Sequence, residues 1–305
     1  MWIFILFNII KKNKIFLPIF YLQLLFNVFL EILLICFKYL VKRLPNLKFV
    51  NDQYVKVKTL NGIFFGLSTI LPASIGFGQF ALVMNRYVAV KYPILYKRIF
   101  CFKALFLIYF FQILIMSPGI IMCVPYHANI IYQSQKNVII INFPHNKPIK
   151  ILSILNVILG TTLALSSSIL GIFSWRILKK RKYSRNENNL EYKKQMRFLI
   201  FVIIQTLTDT FLHVTNLIYL ILILFRLKSI VLMTSFIYYF AEDFCFLTTP
   251  IVLCITQKRI RNLFIEFYFG FLLKRKSTKK KRMDKKIFAI KRPNYSKDKF
   301  NRIQF

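Results

Sequence analysis

Residues 81–93 read ALVMNRYVAVKYP, and in this stretch a long apolar segment ends on the triplet Asn85, Arg86 and Tyr87 ahead of Pro93. A charged arginine at the edge of a segment of hydrocarbon length costs free energy unless its side chain reaches the lipid headgroups or finds a partner. We therefore expect Arg86 either to anchor the end of a helix or to take part in a switch.

The composition of the chain indicates a membrane protein. It has 305 residues, 57% of them hydrophobic, and a mean hydropathy of +0.54, which is more apolar surface than one soluble core can bury. The net charge of +35 is typical of nucleic-acid-binding proteins. Such proteins do not carry repeated apolar runs of bilayer length, so no nucleic-acid partner is expected.

Six apolar stretches are long enough to cross a bilayer as helices. A crossing needs about 20 mostly apolar residues to span about 30 Å of hydrocarbon. The stretches that qualify are about 15–41, 60–87, 102–124, 151–177, 197–225 and 230–256. Residues 1–10 amount to about half a crossing, and we interpret them as a truncated first helix. The sequence therefore predicts an all-α membrane protein, a seven-transmembrane helix bundle with a truncated first helix.

The positions of the basic residues predict how this bundle is oriented. Lysine and arginine are enriched in cytoplasmic loops. With the loop at Lys11–Lys14 placed inside, 34 of the 45 basic residues are cytoplasmic and 10 are outside. We therefore expect an integral membrane protein in the plasma membrane, with Arg86 at the inner end of the third helix and a cytoplasmic C-terminus.

Two segments follow the last predicted span. In residues 259–273, apolar side chains recur at helical spacing between basic residues, which predicts an amphipathic helix on the inner membrane surface. Residues 274–305 are rich in lysine and arginine and predict a basic, disordered cytoplasmic tail. Residues 1–273 are thus the predicted transmembrane domain.

Several polar residues are predicted near the middle of the membrane. They are Glu31 in the second helix, Asp209, His213 and Asn216 in the sixth, and Glu242 and Asp243 in the seventh. Ionisable residues at this depth normally face the bundle interior and pair. Asp209, His213 and Asn216 share one helix face, because they stand at positions i, i+4 and i+7.

We expect Asp209 and His213 to form a hydrated cluster with Glu242 or Asp243, lining a ligand cavity or a switch between helices. A role as a plain packing residue stays open for His213 and for Asn216. Asn27 shares a face with Glu31 at the centre of the second helix.

Three stretches resemble one known family. MNRYVAVKYPILYKRIF, residues 84–100, is similar to the Asp/Glu-Arg-Tyr region and following loop of rhodopsin-like G-protein-coupled receptors, in the variant with Asn first found in nematode serpentine chemoreceptors of the Srv and Srg type. FYLQLLFNVFLEILL, residues 20–34, and FCFLTTPIVLCITQKRIRNLF, residues 244–264, fit the same group. The resemblance extends from Lys11 to about Leu273.

The resemblance implies a receptor domain that binds a small-molecule ligand and signals to a heterotrimeric G protein. Asn85, Arg86 and Tyr87 would form the coupling switch, with Arg86 tethering the inner helix ends at rest and engaging the G protein when the sixth helix moves. Asn85 cannot be the ionic partner that an acidic residue would be, so a tighter resting state is not implied. Pro250 resembles the proline near the inner end of the family's seventh helix and would kink it.

Other functions stay open. The intramembrane acids suit the pathway of a transporter or ion channel, although no inverted repeat is evident. The outer start of the third helix lacks the cysteine usual in rhodopsin-like receptors, which is compatible with a degenerate, non-signalling receptor. An enzyme is not expected, because Gly-x-Ser-x-Gly, His-Glu-x-x-His and phosphate-loop motifs are missing. The cysteines and histidines show no metal-ligand spacing, so neither a metal nor a cofactor is expected.

Overall fold

The structure, a computed structural model, describes residues 18–40, 58–124, 129–133, 138–142, 147–185, 190–225, 228–257, 261–262 and 264–266. Almost all of this described chain is helical. The predicted truncated first helix at 1–10 and the predicted tail at 274–305 lie outside it. Of the predicted surface helix at 259–273, residues 261–262 and 264–266 are helical and the others lie outside the described residues.

Seven helices can be delimited in the part of the chain up to Gln257 that the structure describes. They are α1 (Pro18–Lys38), α2 (Lys58–Lys91), α3 (Pro93–Ile99), α4 (Phe102–Cys123), α5 (Lys147–Arg185), α6 (Leu190–Leu224) and α7 (Lys228–Thr256). Each of the six full-length predicted spans corresponds to one of them. The short α3 was not predicted, because it lies in a loop whose length is too small to show a helical period.

Five of these helices contain stretches long and apolar enough to cross a membrane, at Ile19–Lys38, Leu60–Lys91, Phe102–Cys123, Lys150–Lys180 and Gln195–Leu222. In α7, the described residues Asp243–Thr256 form a shorter apolar segment. These findings are compatible with an all-α membrane protein. The count of seven spans stays a prediction.

Large apolar side chains cover the outside of the described bundle. Phe106 and Phe225 are each 74% exposed, and Phe240 is 71% exposed. An apolar surface this extensive is unfavourable in water, whereas lipid tails solvate it at little cost. The surface is therefore consistent with an integral membrane protein.

Helix α2 is the central element of the bundle. It packs against α1, α3, α4, α5 and α6, and 78% of its most apolar stretch is buried, against 17% for α4. At Gly66 it approaches α4 so closely that an added Cβ would meet the Gly119 carbonyl oxygen and the Cys123 side chain. Glycines allow such close approach between membrane helices. The polar residues of α2 are consequently within reach of all its neighbours.

A β hairpin connects α4 and α5. Its strands, β1 (Asn129–Gln133) and β2 (Val138–Asn142), pair antiparallel, with Asn129 opposite Asn142 and Gln133 opposite Val138. The sequence analysis did not predict these strands. Their signal was present, because runs of isoleucine and valine flank the polar segment 134–137.

The orientation of the bundle generates a first prediction, which uses Cys101. This residue directly precedes α4 in extended conformation, and the backbone N–H groups of Ala104 and Lys103 lower the pKa of its thiol by stabilising the thiolate. In a variant that keeps Cys101 as its only cysteine, we expect a membrane-impermeant maleimide to react in permeabilised cells and not in intact cells. The rate of labelling should rise with pH as the thiol ionises. It should reach its plateau at a lower pH than for an ordinary cysteine, whose pKa is about 8.5.

The matched control places a single cysteine at Lys150, near the start of α5 and next to the hairpin. Lys150→Cys in the same background should react in intact cells. The reverse pattern, with Cys101 labelled from outside and the residue-150 cysteine only after permeabilisation, would overturn the orientation.

Candidate functional site

Arg86 lies near the C-terminal end of α2, between two aromatic rings. Its side chain is buried, and its Cζ atom lies 3.8 Å from the Phe20 ring centroid and 4.5 Å from the Phe198 ring centroid. The two rings contact each other edge to face, with their centroids 5.5 Å apart. Phe20 belongs to the start of α1 and Phe198 to the first turns of α6, so the guanidinium joins three helices at one end of the bundle. We call Arg86, Phe20 and Phe198 the arginine clamp.

The arginine clamp is held by cation–π contacts. Among the described residues, Nε and Nη2 of Arg86 have no hydrogen-bond partner. A desolvated cation–π contact contributes about 2 kcal/mol, while a buried unpaired donor costs about 1–3 kcal/mol. These opposing terms are similar in size. The clamp is therefore closely balanced, and two donors of the guanidinium are available to a new acceptor.

Asn85 contacts the following short helix. The Tyr96 hydroxyl of α3 donates a hydrogen bond of 3.1 Å to Asn85 Oδ1, and the Tyr96 and Phe100 rings stack with centroids 5.6 Å apart. This interaction holds α3 against the end of α2. Tyr87 has a separate partner, because the Lys91 ammonium donates to its hydroxyl at 2.7 Å. The three residues of the triplet thus contact three different groups.

Helix α3 presents apolar side chains outside the spans. Ile94 is 90% exposed and Leu95 is 48% exposed. Pro93 occupies the first turn of this helix, where its missing N–H costs nothing. The surface beside the arginine clamp is therefore partly apolar.

A polar junction joins α1, α2 and α4 deeper in the bundle. The Gln112 amide of α4 donates to Asn27 Oδ1 at 2.9 Å and to the Ser74 carbonyl oxygen at 3.2 Å. The Ser74 hydroxyl donates to the Gln112 carbonyl oxygen at 2.9 Å, and the Gln23 amide donates to the Gly78 carbonyl oxygen at 3.1 Å. Buried hydrogen bonds of this kind fix helices relative to each other. The sequence analysis missed Gln112, although it is an isolated polar residue in an apolar run.

His213 packs against two helices at glycine positions. Its side chain is 3% exposed. The ring occupies the space beside Gly160 of α5, where an added Cβ would meet the Cε1 and Nδ1 atoms of His213. On its other side, Nε2 of the ring lies next to Gly76 of α2. Within the described structure, His213 Nδ1 and the Oδ1 of Asn156, one turn before Gly160, have no hydrogen-bond partner. His213 is thus a tightly packed residue with one unused polar atom.

Asp209 lies one turn before His213 but has different neighbours. Its carboxyl group interacts electrostatically with Glu31 of α1, and both interact with Cys245 of α7. The Cys245 thiol also donates to the Thr208 carbonyl oxygen at 3.2 Å. The packing contacts of His213 are thus with α2 and α5, and the electrostatic interactions of Asp209 are with α1 and α7. The cluster of Asp209 and His213 with an acid of α7 stays a prediction.

The other predicted residues belong to α6 and α7. The Asp243 side chain is exposed, and Asn216 is half-buried. Glu242 belongs to α7, but its side chain lies outside the described residues. Pro250 is inside α7, directly after Thr249, whose hydroxyl donates to Gln205 Oε1 of α6 at 2.8 Å. That hydrogen bond connects α6 with α7 beside the predicted kink.

The described residues contain no group of three histidine, cysteine, aspartate or glutamate side chains that could hold a metal ion. In comparisons with known proteins, no family model and no curated protein matches the chain. The fold and the site therefore define a class and no particular protein. The class is a helical protein with apolar helices of spanning length, consistent with an integral membrane protein, and with polar residues facing the bundle interior.

A second prediction concerns the polar junction. An added Cβ at Gly78 would meet Asn27 Oδ1 and the Gln112 amide nitrogen, which are bonded to each other. Gly78→Ala should therefore lower the free energy of unfolding by about 1–3 kcal/mol through overpacking. The melting temperature of the purified protein in detergent measures the effect.

Gly171→Ala is the matched control, because a Cβ there would lie 3.7 Å from Ile203 Cγ1, an ordinary contact. It should leave the melting temperature unchanged or raise it, since alanine favours helix formation over glycine. Equal melting temperatures for the two variants would contradict the close packing at Gly78.

Proposed function

We propose that this chain is a G-protein-coupled chemoreceptor, which senses a small molecule and signals through the end of α2 that carries Arg86. The observation that carries the proposal is the arginine clamp. A buried guanidinium that lies between aromatic rings of two other helices, with two donors unfilled among the described residues, has the properties of a switch. An arginine that served only as a helix anchor would extend to the lipid headgroups.

The clamp supports a two-state mechanism. Phe198 is part of α6, so an outward movement of the start of α6 removes one of the two rings from Arg86. A ligand that binds this second arrangement more tightly shifts the population toward it. The freed guanidinium then offers Nε and Nη2 to carbonyl oxygens of a G protein. The cost of leaving these donors unpaired at rest is recovered in the complex.

The surface next to the clamp suits a protein partner. Ile94 and Leu95 form an exposed apolar patch on α3, outside the spans, and exposed apolar patches rimmed by polar residues mark interaction sites. Tyr96 holds this helix on α2 through Asn85. We propose that the G protein contacts α3 and Arg86 together, with Tyr87 and the basic segment 176–197 at the same cytoplasmic face of a plasma-membrane receptor.

The interior of the bundle supports a ligand site as well. His213 Nδ1 and Asn156 Oδ1 are buried polar atoms whose partners are missing among the described residues, and both belong to helices that pack on α2. Unsatisfied buried polar atoms are rare in folded proteins and call for a partner. We propose that a small ligand with a hydrogen-bonding group reaches this region.

A third prediction tests the switch without a known ligand. Phe198→Ala removes one ring from Arg86 and should raise the ligand-independent exchange of nucleotide on a co-expressed G protein by about five- to thirty-fold, the shift that corresponds to losing about 1–2 kcal/mol of cation–π attraction. GTPγS binding to membranes from cells that express each class of Gα subunit measures it. Adding Arg86→Ala to Phe198→Ala should return exchange to background with surface expression unchanged.

Phe211→Ala is the matched control, because Phe211 belongs to the same helix and is 51% exposed. It should leave nucleotide exchange unchanged. If Phe198→Ala and Phe211→Ala give the same exchange with every Gα class, and both reach the cell surface, the receptor proposal is wrong.

One observation favours the alternative of a proton or cation pathway, namely the electrostatic interaction of Glu31 with Asp209 inside the bundle. A fourth prediction separates the two functions. Under the receptor proposal, Glu31→Gln combined with Asp209→Asn keeps the effect of Phe198→Ala on nucleotide exchange. A conductance or ion uptake in proteoliposomes that the parent protein shows and this double variant lacks would favour the transporter or channel instead.

A further inference from the structure

A groove of about 340 Å³ lies between α5 and α6. Gly171, Ile172 and Trp175 of α5 form one side, and Ile203 and Leu207 of α6 contribute to the other. Ile172, Trp175 and Leu207 are 54%, 38% and 60% exposed, so the groove opens on the outer surface of the bundle. Its volume falls in the range of about 300–1,000 Å³ that is usual for small-molecule sites.

The lining of the groove is apolar even where its residues carry hydroxyl groups. The Ser168 hydroxyl donates to the Ala164 carbonyl oxygen at 3.0 Å, and the Thr206 hydroxyl donates to the Val202 carbonyl oxygen at 2.8 Å. Both hydroxyl protons are thus used within their own helices. The groove therefore suits a hydrocarbon chain better than a polar molecule.

Gly171, which has no side chain, forms the base of the groove. A Cβ added at Gly171 would lie 3.7 Å from Ile203 Cγ1, with no closer atom outside its own helix. The space above this glycine is therefore free for an occupant, and a larger residue at 171 would fill it.

Basic residues continue the groove toward one end of α5. Lys179 stands four residues after Trp175 and seven after Ile172, so the three residues share one face of the helix. Lys179 and its neighbour Arg176 are both exposed. From Ser168 to Lys179 the helix rises about 16 Å, which is a suitable length for part of an acyl chain below a headgroup.

The length of the helix places these charges at a membrane surface. The apolar segment Lys150–Lys180 has 31 residues and is about 46 Å long, close to the thickness of about 40–45 Å of a bilayer with its headgroups. Lys179 and Arg176 then lie at the headgroup level of one leaflet, and Trp175 lies just below, where tryptophan is enriched.

We propose that this groove binds an anionic phospholipid, with one acyl chain along Gly171 and the phosphate at Lys179 and Arg176. Charge complementarity selects an anionic lipid over an uncharged one. The groove is separate from the arginine clamp and from the His213 region, and its test measures lipid binding whether or not the chain couples to a G protein.

Fluorescence of Trp175 tests the proposal. The chain has two tryptophans, so Trp2→Phe in the full-length protein leaves Trp175 as the sole reporter. The Trp2→Phe protein is reconstituted in phosphatidylcholine vesicles that contain a small fraction of brominated lipid. The brominated lipid is phosphatidylserine in one sample and phosphatidylcholine in the other. The apparent binding constant from quenching should be about five-fold higher for phosphatidylserine, and Lys179→Gln should remove this preference.

Two matched controls accompany the test. Lys150→Gln removes a charge from the opposite end of the same helix and should keep the preference. Gly171→Leu fills the groove and should reduce quenching by both lipids, whereas Thr162→Leu, at an exposed position elsewhere on α5, should not.

Three results would overturn the proposal. Equal quenching by the two brominated lipids in the parent protein would mean ordinary surrounding lipid. If Lys150→Gln and Lys179→Gln lost the preference for phosphatidylserine equally, that preference would come from general charge attraction between the protein and the membrane. Unchanged quenching in Gly171→Leu would mean that the groove holds no phospholipid chain.

Discussion

The position of Arg86 between the rings of Phe20 and Phe198 is the contact on which the proposed function depends. Burying a guanidinium inside an apolar bundle costs free energy. Here the aromatic faces offset part of that cost, and an acidic partner would offset more of it. Asn85 has no charge and instead receives a hydrogen bond from Tyr96. Since two donors of Arg86 have no partner among the described residues, the resting arrangement is stable but not deeply so. This balance is what makes the end of α2 suitable as a switch.

The contacts of α2 with its neighbours bear on the proposed movement of α6. Helix α2 is bound to α1 and α4 by a set of buried hydrogen bonds around Gln112, and it approaches α4 closely through Gly66 and Gly119. By contrast, α2 and α6 share few contacts, among them the arginine clamp and the His213 ring beside Gly76. The α1–α2–α4 part is thus well connected internally, and α6 is joined to α2 mainly through α5.

Local sequence properties predicted most of the helices but few of their partners. Apolar length is a property of a single segment, so the six helices that carry the predicted spans could be located, and five of them contain a stretch of spanning length. Which face of a helix meets which neighbour depends on rotation about its axis, and a single sequence does not contain that information. This is why the packing of His213 against Gly160 and Gly76 could not be predicted.

Some of the missing partners did leave a signal in the sequence. Phe20 and Glu31 are eleven residues apart in α1, and Phe198 and Asp209 are eleven residues apart in α6. If both helices start at the same membrane face, equal spacing places both aromatics at one depth and both acids about 16 Å further in. This arithmetic gives matching depths for these residues, whereas the rotation of each helix, which decides contact, does not follow from it. The hairpin between α4 and α5 has its own local signal, the isoleucine and valine runs beside the polar segment 134–137.

A double-mutant cycle between Arg86 and Phe198 tests the arginine clamp most directly. Arg86→Met and Phe198→Leu keep apolar bulk while removing the charge and the aromatic face, respectively. The account predicts that their effects on the apparent free energy of unfolding in detergent differ from additivity by about 1–2 kcal/mol. Strictly additive effects would mean that the guanidinium and the ring do not interact, and the proposed switch would lose its basis.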